Sequence, residues 1–86
     1  MIPKIIHYVW VGSAIPERVQ LLINNNKTFT PDYDIKVWTE QNLPELNKFA
    51  KNAYLKKNWA FVSDYVRFIA LRQFGGIYLD TDQKLL

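Results

Sequence analysis

Residues 59–82 read WAFVSDYVRFIALRQFGGIYLDTD, and this stretch decides the class of fold. Trp59, Phe61, Val62, Tyr65, Val66, Phe68, Ile69, Leu71 and Phe74 are apolar almost all the way round a helical wheel, which predicts a buried helix over residues 59–74. Asn58 is a candidate N-cap, because its side-chain carbonyl can accept a hydrogen bond from a first-turn N–H. Gly75-Gly76 should stop the helix, since glycine takes up left-handed backbone without a steric penalty. Ile77-Tyr78-Leu79 then reads as a short strand, with Asp80-Thr81-Asp82 directly after it.

Working toward the N-terminus, residues 51–58 are rich in lysine and read as a solvated connection. Pro44 is expected to open a short helical stretch with Leu46, Phe49 and Ala50 on one face. Residues 34–39 (DIKVWT) alternate, with Ile35, Val37 and Thr39 on one side and Lys36 and Trp38 on the other, so they predict a strand after the Pro31-Asp32 turn. Pro16 suits the first turn of a helix, and Val19, Leu22 and Ile23 recur at helical spacing until Asn24-Asn25-Asn26 weakens the pattern, so a helix of about three turns is expected. Residues 4–11 (KIIHYVWV) are an almost unbroken β-branched and aromatic run, the mark of a strand buried on both faces. The order β, α, β, α, α, β implies parallel strands joined by right-handed helical crossovers. The expected class is α/β: a small three-layer, Rossmann-like unit with a mostly parallel sheet of about three strands.

Composition sets the outer limits. With 86 residues, 49% of them hydrophobic and 22% charged, the chain can bury one core, is a single domain and is not disordered. A unit this small should be marginally stable by itself. Eleven basic residues against eight acidic ones leave +3, with the lysines scattered rather than striped, which argues against a nucleic-acid partner. The absence of cysteine excludes disulfides, Fe–S clusters, cysteine zinc sites and a thiol nucleophile. Apolar stretches fall well short of the roughly 18 residues a membrane span needs, and the opening residues lack a signal-peptide pattern. The expectation is a soluble, cytoplasmic chain with no transmembrane segment.

The chemistry centres on the acidic pair. In extended backbone Asp80 and Asp82 project to the same side. Two carboxylates held together repel, and Mg²⁺ or Mn²⁺ relieves them while keeping water and diphosphate oxygens in its shell. Open α/β sheets bind ligands beyond the carboxyl ends of their strands, and the first strand also ends there. By itself an Asp-x-Asp tripeptide reads first as an acidic pair in a solvated turn. A calcium EF-hand is rejected, because the sixth position from Asp80 is Leu85 where glycine is required. The aspartyl-phosphatase pattern Asp-x-Asp-x-Thr is disfavoured by Lys84 at its fifth position.

Asp64 and Arg67 share a helix face in an otherwise apolar helix. They read either as an ion pair that fixes the helix, or as an acceptor for sugar hydroxyls beside a fork-shaped donor for diphosphate or sugar oxygens. Trp10 is core at a strand end or a stacking surface for a base. His7, inside the first strand, reads as a satisfied buried histidine and receives no role. Ser63 lacks a suitably spaced histidine, which argues against a Ser-His-Asp hydrolase. Gly75-Gly76 precedes a strand rather than a helix, so it is not a phosphate loop.

Taken together, Ile2-Pro3-Lys4-Ile5-Ile6-His7-Tyr8-Val9-Trp10-Val11-Gly12, Pro31-Asp32-Tyr33 with Val37-Trp38-Thr39, and Ser63-Asp64-x-x-Arg67 through Gly75-Gly76-x-Tyr78-x-Asp80-x-Asp82 resemble the DXD-containing glycosyltransferases. The likeness is to the sugar-binding region shared by initiation-type mannosyltransferases, capsular polysaccharide transferases and clostridial glucosylating toxins. The resemblance implies a GT-A-type fold and a metal-dependent site for a nucleotide-diphosphate sugar, a UDP- or GDP-sugar, from which glycosyl transfer proceeds with retention. It implies that Trp10 stacks on the base and that Asp64 and Arg67 hold the donor sugar. Asp80 would contact ribose and sugar and assist the metal, and Asp82 would ligate Mn²⁺ or Mg²⁺; these two aspartates are the implied catalytic residues, while Tyr78 matches the motif as well.

A saccharide or protein would be the acceptor, and polysaccharide biosynthesis the setting. Catalytic domains of that family continue well beyond the DXD motif, so the expectation is the donor-binding half of a transferase. The alternative is a noncatalytic nucleotide-sugar-binding or assembly module that keeps the motif as a relic. Unburied sheet edges would favour self-association.

Overall fold

The computed structural model describes residues 2–81. Its elements run β1 (Ile5–Val9), α1 (Glu17–Thr28), β2 (Asp34–Trp38), α2 (Lys48–Leu55), α3 (Trp59–Phe74) and β3 (Ile77–Tyr78). The strands form one parallel sheet in the order β2-β1-β3. β1 pairs with β2 from Ile5↔Asp34 to Val9↔Trp38, and with β3 at Ile6↔Ile77 and His7↔Tyr78. The strands are one to three residues shorter than the runs that predict them, yet pairing persists past their ends, where Trp10 N–H donates to Trp38 O (2.8 Å) and Leu79 N–H to His7 O (3.0 Å).

Both faces of the central strand are covered, as its sequence requires. Ile6 and Tyr8 pack with Val19 and Ile23 of α1, joined by Ile35 and Val37 of β2. Val9 and Val11 pack on the other face with Trp38 and with Val62, Val66 and Ala70 of α3, beside Ala53 and Tyr54 of α2. The result is the expected three-layer α/β unit, α1 on one side and α2 with α3 on the other. His7 is fully buried between the layers. Its Nδ1 accepts from Trp38 Nε1–H (3.1 Å), so Nε2 carries the proton and donates to Gly75 O (2.8 Å). That is the satisfied core histidine the sequence suggests, tying β1 to β2 and to the end of α3.

α1 has the expected length of about three turns and runs through Asn24-Asn25-Asn26 to Thr28, because Asn26 is buried and its amide donates to the Tyr8 hydroxyl (3.1 Å); a tertiary hydrogen bond outweighs the weak helix propensity of asparagine. Two expectations need correction. α2 begins at Lys48 rather than Pro44 and includes much of the stretch read as a connection. Its start is set by Asn47, whose side chain accepts from Ala50 N–H (2.8 Å), while Ala50, Ala53 and Tyr54 supply an inward face. Finally, α3 is not buried all round. Val62, Val66 and Ala70 form one fully buried stripe, whereas Phe61 and Phe68 are 44% and 58% exposed, since the sheet covers a single face of the helix.

The other helix signals operate as expected. Asn58 caps α3 by accepting from Phe61 N–H (3.3 Å), and Gly75 ends it with φ +69°. Gly76 follows at φ +94°, and a Cβ there would collide with the backbone oxygen of Ile5. Only glycine lets the chain turn from α3 into β3 this close to β1. Among the described residues no helix is long and apolar enough to cross a membrane, a finding about spanning and not about compartment.

Candidate functional site

A cleft of about 610 Å³ opens beyond the carboxyl ends of β1 and β3, within the size range of small-molecule sites and at the position where open α/β sheets bind ligands. Its floor is the end of β1, from Val9 to Ser13. One wall is the first turns of α3, where Ala60, Ser63 and Asp64 fall on one face. The opposite wall carries Tyr78, Asp80 and Thr81 as the chain leaves β3.

Of the residues expected at a site, Trp10, Asp64 and Asp80 line this one cleft. Trp10 is half-buried; its indole N–H donates to Ser13 Oγ (3.2 Å) and the Arg18 guanidinium stands 5.8 Å from its ring centroid. Arg67 does not line the cleft. It shares a neighbouring groove with Asp64 and lies over the Tyr78 ring, 4.9 Å from the centroid. Asp64 and Arg67 are both exposed, so the expectation that they are charges drawn into a low-dielectric interior does not hold: they sit on the uncovered face of α3. Asp82, expected as the principal metal ligand and a catalytic residue, lies outside the described residues.

Tyr78 connects these groups. Its hydroxyl is pushed up to about 12, first by burial and then by the charge of Asp80 and a hydrogen bond to it, with Asp64 adding in the same direction and Arg67 opposing. The neutral phenol therefore serves as a donor that fixes the Asp80 carboxylate, while its ring seats the Arg67 guanidinium.

Sequence reasoning missed Gly12, Arg18 and Trp59, which also line the cleft. Gly12 has φ +97° and lies so close to the Trp59 indole that a Cβ would approach its Cε2 to 2.7 Å. Its N–H donates to Glu40 Oε2 (2.7 Å), which pins the turn after Trp10 to the end of β2. The signal for Gly12 was its place at the end of the β1 run. Arg18 could have been found from its position in the opening turn of the helix after that strand.

The donors here suit a hard cation. Asp80, Asp64 and Thr81 offer only oxygen, the chemistry preferred by Mg²⁺ and Mn²⁺. Among the described residues no group of three or more His, Cys, Asp or Glu comes together. A cation bound at Asp80 would thus take most of its shell from water, a ligand or residues beyond Thr81.

An α/β unit with a cleft at the strand ends, an aromatic floor and a carboxylate after β3 has the layout in which open α/β sheets hold small ligands. The family described as a glycosyltransferase sugar-binding region containing a DXD motif matches residues 16–86, and the chain belongs to it. It is 33% identical over 86 residues to inositol phosphoceramide mannosyltransferase 3 of Schizosaccharomyces pombe, covering 94% of this chain and 24% of that protein. It is 30% identical to mannosyl phosphorylinositol ceramide synthase of Saccharomyces cerevisiae, covering 95% and 23% respectively. It is 27% identical to Subversion of eukaryotic traffic protein A of Legionella pneumophila, covering 94% and 17%. The chain thus spans about a quarter, or less, of the length of these curated relatives. No solved structure matches it at a significant level.

Proposed function

We propose that this chain forms the donor-binding part of a metal-dependent glycosyltransferase that uses a UDP- or GDP-sugar and transfers the sugar with retention to a saccharide or protein acceptor. The observation that carries the reading is the convergence of Trp10, Asp64 and Asp80 on one cleft at the strand ends, in a chain of the DXD family. Metal dependence, retention and the acceptor class rest on the family resemblance.

In this reading the Trp10 face stacks against the base, a contact that tolerates any base because all present a π-face. Asp64 accepts hydrogen bonds from sugar hydroxyls, and Arg67 donates to sugar or diphosphate oxygens with its planar fork. Asp80, oriented by Tyr78, receives the ribose hydroxyls and shares the cation with Asp82. When bound, Mn²⁺ or Mg²⁺ supplies electrostatic stabilisation of the charge that builds on the departing diphosphate. Tyr78 keeps its proton at neutral pH, so it positions the Asp80 carboxylate and does not act as a base.

The test is a calorimetric titration of UDP-glucose and GDP-mannose, each with Mn²⁺ and with chelator, on the wild type, Asp80→Asn and Asp82→Asn. The expected result is metal-dependent binding of one donor that both substitutions abolish. Equal binding in chelator, or none to either donor, would refute the donor-site reading. Binding without any transfer to added acceptors would favour the noncatalytic module.

A further inference from the structure

The two most exposed large apolar side chains among the described residues are Leu55, 80% exposed, and Phe49, 74% exposed. Both belong to α2, and both point away from the Ala50 face that meets the core. Between them lies a shallow hollow lined by Lys48, Phe49, Lys51, Asn52 and Leu55. Four of the chain's eight lysines gather here. Lys48, Lys51, Lys56 and Lys57 are all exposed, and no Asp or Glu occurs from residue 46 to residue 63. This face is remote in composition from the cleft, whose charges are chiefly acidic, and it has no part in the donor reading.

We propose that the outer face of α2 is a docking surface for an anionic lipid bilayer. An amphipathic helix with aromatic and aliphatic side chains amid lysines matches the chemistry of interfacial segments. Phe49 and Leu55 would enter the headgroup boundary, while the lysine stems lie along them and the ammonium groups reach lipid phosphates. Charge selects this occupant over a second copy of the chain: a symmetric pair through the same face would bring eight ammonium groups together, with no carboxylate from residues 46–63 to relieve them. It also selects an anionic over a neutral bilayer, because each lysine near such a surface strengthens binding by about fivefold.

The experiment is co-sedimentation of the protein with vesicles of pure phosphatidylcholine and with vesicles containing about one third phosphatidylglycerol, at low and high salt. The variants are Phe49→Ser, Leu55→Ser and the double substitution Lys48→Glu with Lys51→Glu. All of these positions are exposed, so unchanged far-ultraviolet circular dichroism is expected and separates loss of docking from loss of fold. Wild type should bind the anionic vesicles and release at high salt. Either serine variant should weaken binding roughly tenfold and the lysine double variant by more. Equal binding to both vesicle types, no binding by the wild type, or full binding by the lysine double variant would overturn the proposal. So would a concentration-dependent dimer in sedimentation velocity that Phe49→Ser abolishes, which would assign the face to a second copy. Neither docking nor its loss depends on whether the cleft binds a nucleotide sugar.

Discussion

Tyr78 ionises near 10 in the unfolded chain and near 12 in the folded one, raised by burial and by Asp80. Between those two values the folded state holds one proton more than the unfolded state, so stability falls as pH rises through that window and is untouched below it. Solvent around the half-buried ring reduces the size of the effect. Urea denaturation at stepped alkaline pH should therefore show a shallower decline in Tyr78→Phe than in wild type; parallel curves would contradict the raised ionisation of Tyr78 in the folded state. At the floor of the cleft, Trp10→Ala should weaken donor binding by about 1 to 3 kcal/mol, the usual worth of one stacked base, while leaving the metal requirement intact. Calorimetry checks both points. Part of this grouping was readable in advance, since Trp10, Asp64 and Asp80 line one cleft; their roles belong to the proposed function. Their surroundings were less legible. Asp64 and Arg67 look buried when α3 is read as a wheel, yet they are exposed. A wheel shows which residues share a face and not whether anything lies against it.

At the scale of elements, the informative failures are the helix starts. Pro44 and Asn47 both carry start signals, and the side chain of Asn47 decides between them by reaching Ala50 N–H. The lysines that made residues 51–58 look like a connection are compatible with a helix whose opposite face, Ala50, Ala53 and Tyr54, is the part that packs. In α1 the asparagine run could not be judged locally, because the group that rescues it, the Tyr8 hydroxyl, comes from another element. By contrast, the near-continuous apolar run of β1 did announce a strand covered on both faces, which the two clusters packed on it show. The two caps differ in geometry, 2.8 Å at Asn47 against 3.3 Å at Asn58. Asn47→Ala should cost about 1 kcal/mol and Asn58→Ala less, measured as shifts in the urea midpoint. The reverse order would show that Asn58 holds the longer helix more firmly than its bond length implies.

For the molecule as a whole, small size makes ligand linkage easy to see. A ligand present at about 100 times its dissociation constant adds about 2.7 kcal/mol, and in a chain of this length each kcal/mol moves the midpoint by about 4 to 8 °C. Saturating Mn²⁺ with the cognate nucleotide sugar should thus raise the melting temperature by roughly 10 to 20 °C, and Asp82→Asn should abolish the shift; scanning calorimetry with and without chelator measures it. The topology has a consequence for biosynthesis as well. β1 is the middle strand, yet the partner on one of its edges, Ile77–Tyr78, is separated from it by three helices and another strand. On the ribosome, β1 and β2 can meet early, while His7 waits for Gly75 and the β3 edge stays bare. Trp10 and Asp80 do not face each other until translation has passed Thr81. A chain arrested before that point presents an open, apolar strand edge to chaperones and to other nascent chains, and it has no cleft with which to hold a ligand.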